Sequence, residues 1–188
     1  MSIKDDNDPH PSWLERLSHA LFREPQDRKQ LVELLYDAKN RHLLDADALG
    51  MIEGVLNVSE MKVRDIMVPR PQMVSVEEDI DPDTAIPTVV KSAHSRFPVI
   101  AESRNQVIGI LLAKDLLKHT IEKKPGVRIR DLIRPATFIP ESKRLDILLK
   151  EFRLNRNHMA IVVDEYGGIA GLVTIEDVLE QIVGDIID

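Results

Sequence analysis

Part of this 188-residue chain is written twice. Ser95-Arg96-Phe97-Pro98-Val99-Ile100 through Val107-Ile108-Gly109-Ile110-Leu111-Leu112-Ala113-Lys114-Asp115 is matched by Asn157-His158-Met159-Ala160-Ile161-Val162 through Ile169-Ala170-Gly171-Leu172-Val173-Thr174-Ile175-Glu176-Asp177. His158 follows Arg96, Gly171 follows Gly109 and Asp177 follows Asp115 by the same 62 residues, so the two copies align here without a gap. Self-similarity at a fixed period decides the architecture before any local pattern does. Two copies of this size are expected to pack about a pseudo-two-fold axis, with a ligand cleft between them. Upstream, Arg64-Asp65-Ile66-Met67 is echoed by Arg130-Asp131-Leu132-Ile133 at an offset of 66. The first copy therefore carries four extra residues before the gapless stretch.

Each copy reads β-α-β-β-α. A short strand (73–76; 137–139) precedes a helix (82–93; 142–154). In the second helix Leu145, Leu148, Leu149 and Phe152 form an i, i+3, i+4, i+7 face. In the first, Asp81-Pro82 is a cap followed by an N1 proline, and Pro87 is expected to kink or end the helix. Two strands follow (97–101 with 107–111; 159–163 with 169–173). Their turns run through Ser103-Arg104-Asn105 and Asp164-Glu165-Tyr166-Gly167-Gly168, where the glycine pair allows the positive φ of a tight reversal. A closing helix completes each unit (113–120; 175–186), and Lys123-Lys124-Pro125-Gly126 links the units.

Ahead of the repeats, residues 1–12 are polar and expected to be disordered, and residues 13–62 read as helices. Trp13, Leu14, Leu17 and Leu21 form one stripe. Asp27 can cap a helix carrying Leu31, Leu34 and Leu35, and Asp45 one carrying Leu49, Ile52, Val55 and Leu56. These helices either pack on the main domain or, through Trp13, Leu17 and Phe22, dock a partner or membrane surface. The chain has no cysteine, which excludes disulfides and thiolate chemistry. No apolar run approaches the ~20 residues of a membrane helix, and the acidic, polar N-terminus does not read as a signal peptide. A net charge of −7 argues against a nucleic-acid surface.

The segment Gly171-Leu172-Val173-Thr174-Ile175-Glu176-Asp177 places a strand end against a helix start. The free N–H groups there suit a phosphate. Thr174 offers a hydroxyl, and the Asp177 carboxylate can accept hydrogen bonds from both hydroxyls of a ribose. Arg96 can pair with phosphate oxygens. The same Thr-x-x-Asp is also a capping box that needs no ligand. The first copy keeps Gly109 and Asp115 but has Leu112 at the threonine position, so Asp115 persists without a capping hydroxyl. No nucleophile lies near His158, Asp164 and Glu165, and the other histidines lack ligand spacing, so neither an enzyme nor a metal site is expected. The acidic residues Glu176, Asp177, Glu180 and Asp185 read as a solvated helix face, with magnesium entering only together with a bound triphosphate.

The repeat pair resembles a pair of cystathionine-β-synthase-type (CBS) domains, whose adenosine-binding signature is Gly-hydrophobic-x-Thr-x-x-Asp. Val63-Arg64-Asp65-Ile66-Met67-Val68-Pro69-Arg70, Ser92-Ala93-His94-Ser95-Arg96-Phe97-Pro98-Val99-Ile100, His158 to Gly168 and Gly171 to Glu180 further resemble the magnesium and cobalt efflux proteins of the CorC/HlyC type. Several motifs agree in order, covering about residues 45–188. The resemblance implies a mixed α/β (α+β) tandem CBS pair preceded by N-terminal helices. Its units would be a tail (1–12), helices (13–62), a first CBS domain (63–122), a linker (123–126) and a second CBS domain (127–188).

It further implies a regulatory module that binds AMP or ATP, the latter with or without magnesium, between the copies. Val68 and Ser95-Arg96-Phe97-Pro98 would face Thr174 and Asp177. Adenine would lie against Phe97-Pro98 and the first-strand backbone, Asp177 would hold ribose, and Thr174 and Arg96 would address phosphate. A mirror site of Asp115, Asn157, His158 and Met159 would be weaker or empty, because Leu112 supplies no hydroxyl. The implied setting is a cytoplasmic homodimer at or beside the inner membrane, acting on a membrane ion-efflux partner. The family's small C-terminal domain does not follow Gly184-Asp185-Ile186-Ile187-Asp188, so a shortened form is expected. The alternative is a ligand-free scaffold for dimerisation and docking.

Overall fold

The computed structural model describes residues 25–101, 106–122 and 125–184. The expected tail (1–12) and the Trp13–Phe22 stripe lie outside them. The chain divides into two units, 1–49 and 50–188. In the first, α1 (Arg28–Asn40) starts at Asp27, whose Oδ1 accepts from Gln30 N–H at 2.8 Å, and buries no side chain. Helix α2 (Ala46–Val58) starts beyond Asp45, whose Oδ1 accepts from Ala48 N–H at 2.7 Å. Both caps are the ones the sequence marks.

The second unit holds both repeats, in the expected order. The first contains β2 (Val76–Glu77), α3 (Pro82–Ser92), β3 (Arg96–Ile100), β4 (Val107–Leu112) and α4 (Ala113–Glu122). The second contains β5 (Phe138–Pro140), α5 (Leu145–Asn155), β6 (Met159–Val163), β7 (Ile169–Thr174) and α6 (Ile175–Val183). In each, the first strand runs parallel to the second, which pairs antiparallel with the third. The first strands start later than their sequence pattern suggests, at Val76 and Phe138. Helix α3 is not broken at Pro87. That proline is exposed, and so is Asp83, whose carbonyl loses a helical partner to the missing N–H. Water can satisfy it, which lowers the cost of an interior proline.

The two copies do not keep one offset. Paired positions in the sheets and cores are 63 residues apart through the first half of the repeat: Val76 with Ile139, Ala85 with Leu148, Phe97 with Ala160, Val99 with Val162. They are 62 apart only from β4 onward, as for Leu111 with Val173 and Leu116 with Val178. The gapless alignment of the sequence is therefore wrong by one residue in β3 and β6. The loop between β3 and β4 is one residue longer than its counterpart and absorbs the difference. Side chains alternate between faces of a strand, so a shift of one residue would turn core positions outward; burial, rather than letter matching, sets the register. Arg96 thus corresponds to Met159, and Ser95 to His158. The other three extra residues of the first copy form a 3-10 turn, Arg70–Gln72, that the second copy lacks.

The repeats also exchange their leading segments. β1 (Val68–Pro69) pairs antiparallel with β7 of the other repeat, Val68 against Leu172 and Pro69 against Gly171. The counterpart segment of the second repeat returns the contact as a bridge between Arg134 and Ile110. Just upstream, Val63 and Arg64 N–H donate to the carbonyls of Lys143 and Glu141, while Ile129 and Arg130 N–H donate to those of Ile80 and Glu78. Each exchanged segment is held in a turn by a carboxylate, Asp65 accepting from Lys62 N–H and Asp131 from Arg128 N–H, both at 2.8 Å.

Each exchanged segment also plugs the other repeat's core. Val63, fully buried, joins Ile139, Leu145, Leu148, Phe152, Val162 and Val173. Ile129, fully buried, joins Val76, Phe97, Val99 and Leu111. Burying such a side chain contributes roughly 1.5–3 kcal/mol, so neither repeat's core is complete without its neighbour. A third cluster, Val107, Ile110, Ile161 and Leu172, closes the repeats against each other along the pseudo-two-fold axis.

Candidate functional site

Two clefts flank that central cluster. The first, about 340 Å³, is walled by the exchanged strand and the turn after it (Val68, Gln72, Met73, Val74). The entry to β3 (Ala93, His94, Ser95, Arg96) and the junction of β7 with α6 (Leu172, Thr174, Glu176, Asp177) complete it, with Met159. Five of the seven residues expected there from sequence are brought together: Val68, Ser95, Arg96, Thr174 and Asp177.

The other two are placed differently. Phe97 is 0% exposed in the core of the first repeat, and Pro98 is also buried; neither lines the cleft. Arg96 and Phe97 are neighbours on a strand, so they point to opposite faces. With Arg96 toward the cleft, Phe97 must enter the core. Its ring still reaches the site indirectly, lying 6.1 Å from the ring of His94, which lines the cleft.

The Thr174–Asp177 box is closed. Asp177 Oδ2 accepts from Thr174 N–H at 2.6 Å and from the Thr174 hydroxyl at 2.8 Å, while Asp177 N–H donates to Thr174 Oγ1 at 3.2 Å. The capping reading is therefore correct as far as it goes. It leaves Asp177 Oδ1 without a protein partner among the described residues, on a side chain that lines the cleft. It also commits the threonine proton to Asp177. Thr174 thus orients the carboxylate, where the family resemblance implies that it addresses phosphate. Arg96 bonds to no other described side chain, and it lines both clefts. Beside it, Glu176 Oε1 lies 3.7 Å from His158 Nδ1.

The second cleft, about 320 Å³, is built from the mirror positions. Asn157, His158 and Met159 line it as expected. Asp115 does not. Arg134 Nη2 and Nε hold both Asp115 oxygens at 3.0–3.2 Å. Arg134 occupies the position that Val68 holds in the first cleft. That single difference on the exchanged segments leaves Asp177 available and ties up Asp115.

Sequence reading missed several wall residues. Gln72, Met73 and Val74 follow from the extra turn of the first copy, and the length difference between copies was the signal. Lys114, Arg134 and Arg156 have no motif; only the mirror relation points to them. Both signature glycines have a structural reason. A Cβ on Gly171 would strike the carbonyl oxygen of Val68, and one on Gly109 would come within 2.8 Å of that of Arg134. Glycine lets the exchanged backbone lie close over the strand and roof each cleft.

Comparison with known proteins adds a family to this geometry. The CBS domain model matches residues 63–122 and 129–184, and a model described as the N-terminal region of NMB0537 matches residues 23–58. The magnesium and cobalt efflux protein CorC of Vibrio cholerae is 52% identical over 177 residues, covering 94% of this chain. This chain spans 61% of that relative's length. Among solved structures, the CBS domain of the bacterial CNNM/CorC family Mg2+ transporter superposes with a TM-score of 0.80 at 39% identity. The match covers 86% of this chain and 99% of that one. The same kind of domain in complex with ATP gives 0.69 at 43% identity, covering 72% and 96%. A CBS-domain pair with bound AMP from Klebsiella pneumoniae gives 0.59 at 34% identity, covering 66% and 99%.

Proposed function

The chain belongs to the CBS-domain family, in the CNNM/CorC group of magnesium and cobalt efflux proteins, and from that premise we propose that it is the adenine-nucleotide-sensing part of such a protein. One observation carries the reading: Asp177 lines an interdomain cleft with one oxygen fixed by a capping box and the other without a partner among the described residues. A carboxylate held this way is pre-organised to accept from two ribose hydroxyls, and charged acceptors make the stronger hydrogen bonds. Arg96 then takes phosphate, and the base lies under the exchanged strand between Val68 and the apolar side chains of Met73, Val74 and Leu172. That AMP and ATP occupy relatives of this fold supports the choice of ligand.

In this reading the module regulates and catalyses nothing. Nucleotide that fits one arrangement of the repeats better than another shifts their population, and a membrane efflux partner reads the shift. Among the described residues no helix is long and apolar enough to cross a membrane, which suits a cytoplasmic domain held beside the inner membrane. Thermal unfolding with AMP, ATP, ATP plus magnesium, and GTP tests the proposal. A nucleotide at a hundred times its Kd adds about 2.7 kcal/mol, or roughly 5–10 °C in Tm for a domain of this size. The expected result is a rise with adenine nucleotides and none with GTP. No rise with any nucleotide at millimolar concentration leaves the ligand-free scaffold.

Homodimerisation is part of the same proposal. Helices α3 and α4 pack together, as do α5 and α6. The first pair exposes Val90, Leu117 and Ile121, at 64–77%; the second exposes Ile147, Leu154, Leu179 and Val183. Exposed apolar side chains on both helix pairs support an association surface. Sedimentation equilibrium is expected to give twice the 21.3 kDa of one chain, and Leu117→Glu with Leu154→Glu is expected to halve it. A wild-type monomer at micromolar concentrations would refute the dimer.

A further inference from the structure

The second cleft differs from the first in the sign of its charge. Arg96, Lys114, Arg134 and Arg156 line it together with His158, and among the described residues no carboxylate does. These cations come from four separate places: the start of β3, the first turn of α4, the exchanged segment before β5, and the residue that caps α5. Two carboxylates stand behind the wall, Asp115 on Arg134 and Glu176 near His158. Arg96, Lys114 and Arg156 pair with no described residue.

The mirror relation shows that this is not a general property of the fold. Where the second cleft has Lys114, Arg134 and Arg156, the first has Glu176, Val68 and Ala93. These three differences all move the second cleft toward positive charge, in a chain whose net charge is −7. A concave site lined by one sign of charge focuses the field and concentrates counter-ions of the other sign. At the same time the features that would seat a nucleoside are missing. Leu112 replaces the capping threonine, and the ribose-type carboxylate is locked to Arg134. Cations that cannot hold a sugar but can fork onto phosphate oxygens select for a phosphate chain.

We propose that the second cleft binds a short linear polyphosphate chain, held by Lys114, Arg156 and Arg96, and is not a second nucleoside site. The chain is either free polyphosphate or the tail of a nucleotide whose base lies in the first cleft, since Arg96 borders both. The claim does not require a nucleotide in the first cleft, because free polyphosphate tests it directly.

The experiment is calorimetric titration of the full chain with inorganic tripolyphosphate, AMP and ATP. Wild type is compared with Lys114→Gln/Arg156→Gln and with the charge-keeping Lys114→Arg/Arg156→Lys. Both residues are exposed and unpaired among the described residues, so the Gln pair is expected to keep the wild-type Tm without ligand. The expected result is that wild type binds tripolyphosphate, that the Gln pair weakens it at least tenfold, that the charge-keeping pair restores it, and that AMP is unaffected. If ATP weakens along with tripolyphosphate, the nucleotide tail is the source; if ATP behaves like AMP, free polyphosphate is. The proposal is overturned if tripolyphosphate fails to bind at millimolar concentration, or binds equally well to the Gln pair. It is also overturned if the Gln pair weakens AMP as much as tripolyphosphate.

Discussion

Gly171→Ala is expected to remove a large part of the stability of the repeat pair. A methyl group there meets the Val68 carbonyl oxygen, with the Val68 carbonyl carbon at 3.1 Å and Pro69 Cα at 3.3 Å. All three are backbone atoms of the exchanged strand, so no side chain can swing aside. Either β1 lifts off β7, losing its ladder and drawing on the Val63 plug behind it, or β7 distorts within the core. Overpacking costs about 1–3 kcal/mol, and each lost hydrogen bond adds roughly 1 kcal/mol. The expected total is about 3–5 kcal/mol, a large part of the ~5–15 kcal/mol typical of a whole domain.

Gly109→Ala is expected to cost less. One of its close neighbours is the end of the Ile133 side chain at 2.9 Å, which can move, although the Arg134 carbonyl at 2.8 Å cannot. Gly50→Ala is the control. It lies in a helix with nothing within 4 Å of the added carbon, and such a change stabilises by about 0.4–1 kcal/mol. Urea unfolding midpoints rank the three. Gly171→Ala within 0.5 kcal/mol of wild type, taken as about the size of a neutral surface change, would mean that the exchanged strand does not hold the repeats together.

The exchange itself was not written in any local pattern. The duplicated motifs gave the element order, and the caps at Asp27, Asp45 and Thr174 could be read directly, because capping depends on residues three apart. Where a two-residue strand such as Val68–Pro69 pairs depends on which repeat offers an open edge, and that is a tertiary property. The one sequence trace of it was glycine at the same place in both copies. The one-residue slip between the copies was hidden for a related reason. Small apolar residues repeat along both strands, so letters match nearly as well at an offset of 62 as at 63. Only inward packing of Phe97 with Val99, and of Ala160 with Val162, tells the two apart. Phe97 is implied at the cleft by the family resemblance, not by any local pattern; alternation along β3, with Arg96 toward the cleft, puts it in the core. The Asp115–Arg134 pair joins residues on different repeats, and neither carries a motif that names the other.

Asp177→Ala is expected to abolish the nucleotide response, and the capping box makes the result separable into two effects. Without ligand the variant loses the acceptor for Thr174 N–H and for the Thr174 hydroxyl. A lost helix cap costs about 1 kcal/mol, so Tm falls by roughly 2–4 °C. With adenine nucleotide the larger change is the disappearance of the ligand-induced rise, since hydrogen bonds to a charged group contribute about 1.5–3 kcal/mol each. Asp177→Asn isolates the second effect. Its amide oxygen can still accept from Thr174 N–H, so the unliganded Tm is expected to stay near wild type while Kd rises about tenfold, one charge-assisted bond having become a neutral one. Asp115→Ala supplies the counterpart: it frees Arg134 in the other cleft and is expected to leave the AMP response unchanged. If Asp177→Asn binds AMP as tightly as wild type, the carboxylate is a helix cap and nothing more. If Asp115→Ala loses the AMP response instead, the nucleotide occupies the mirror cleft and the assignment of the two sites is reversed.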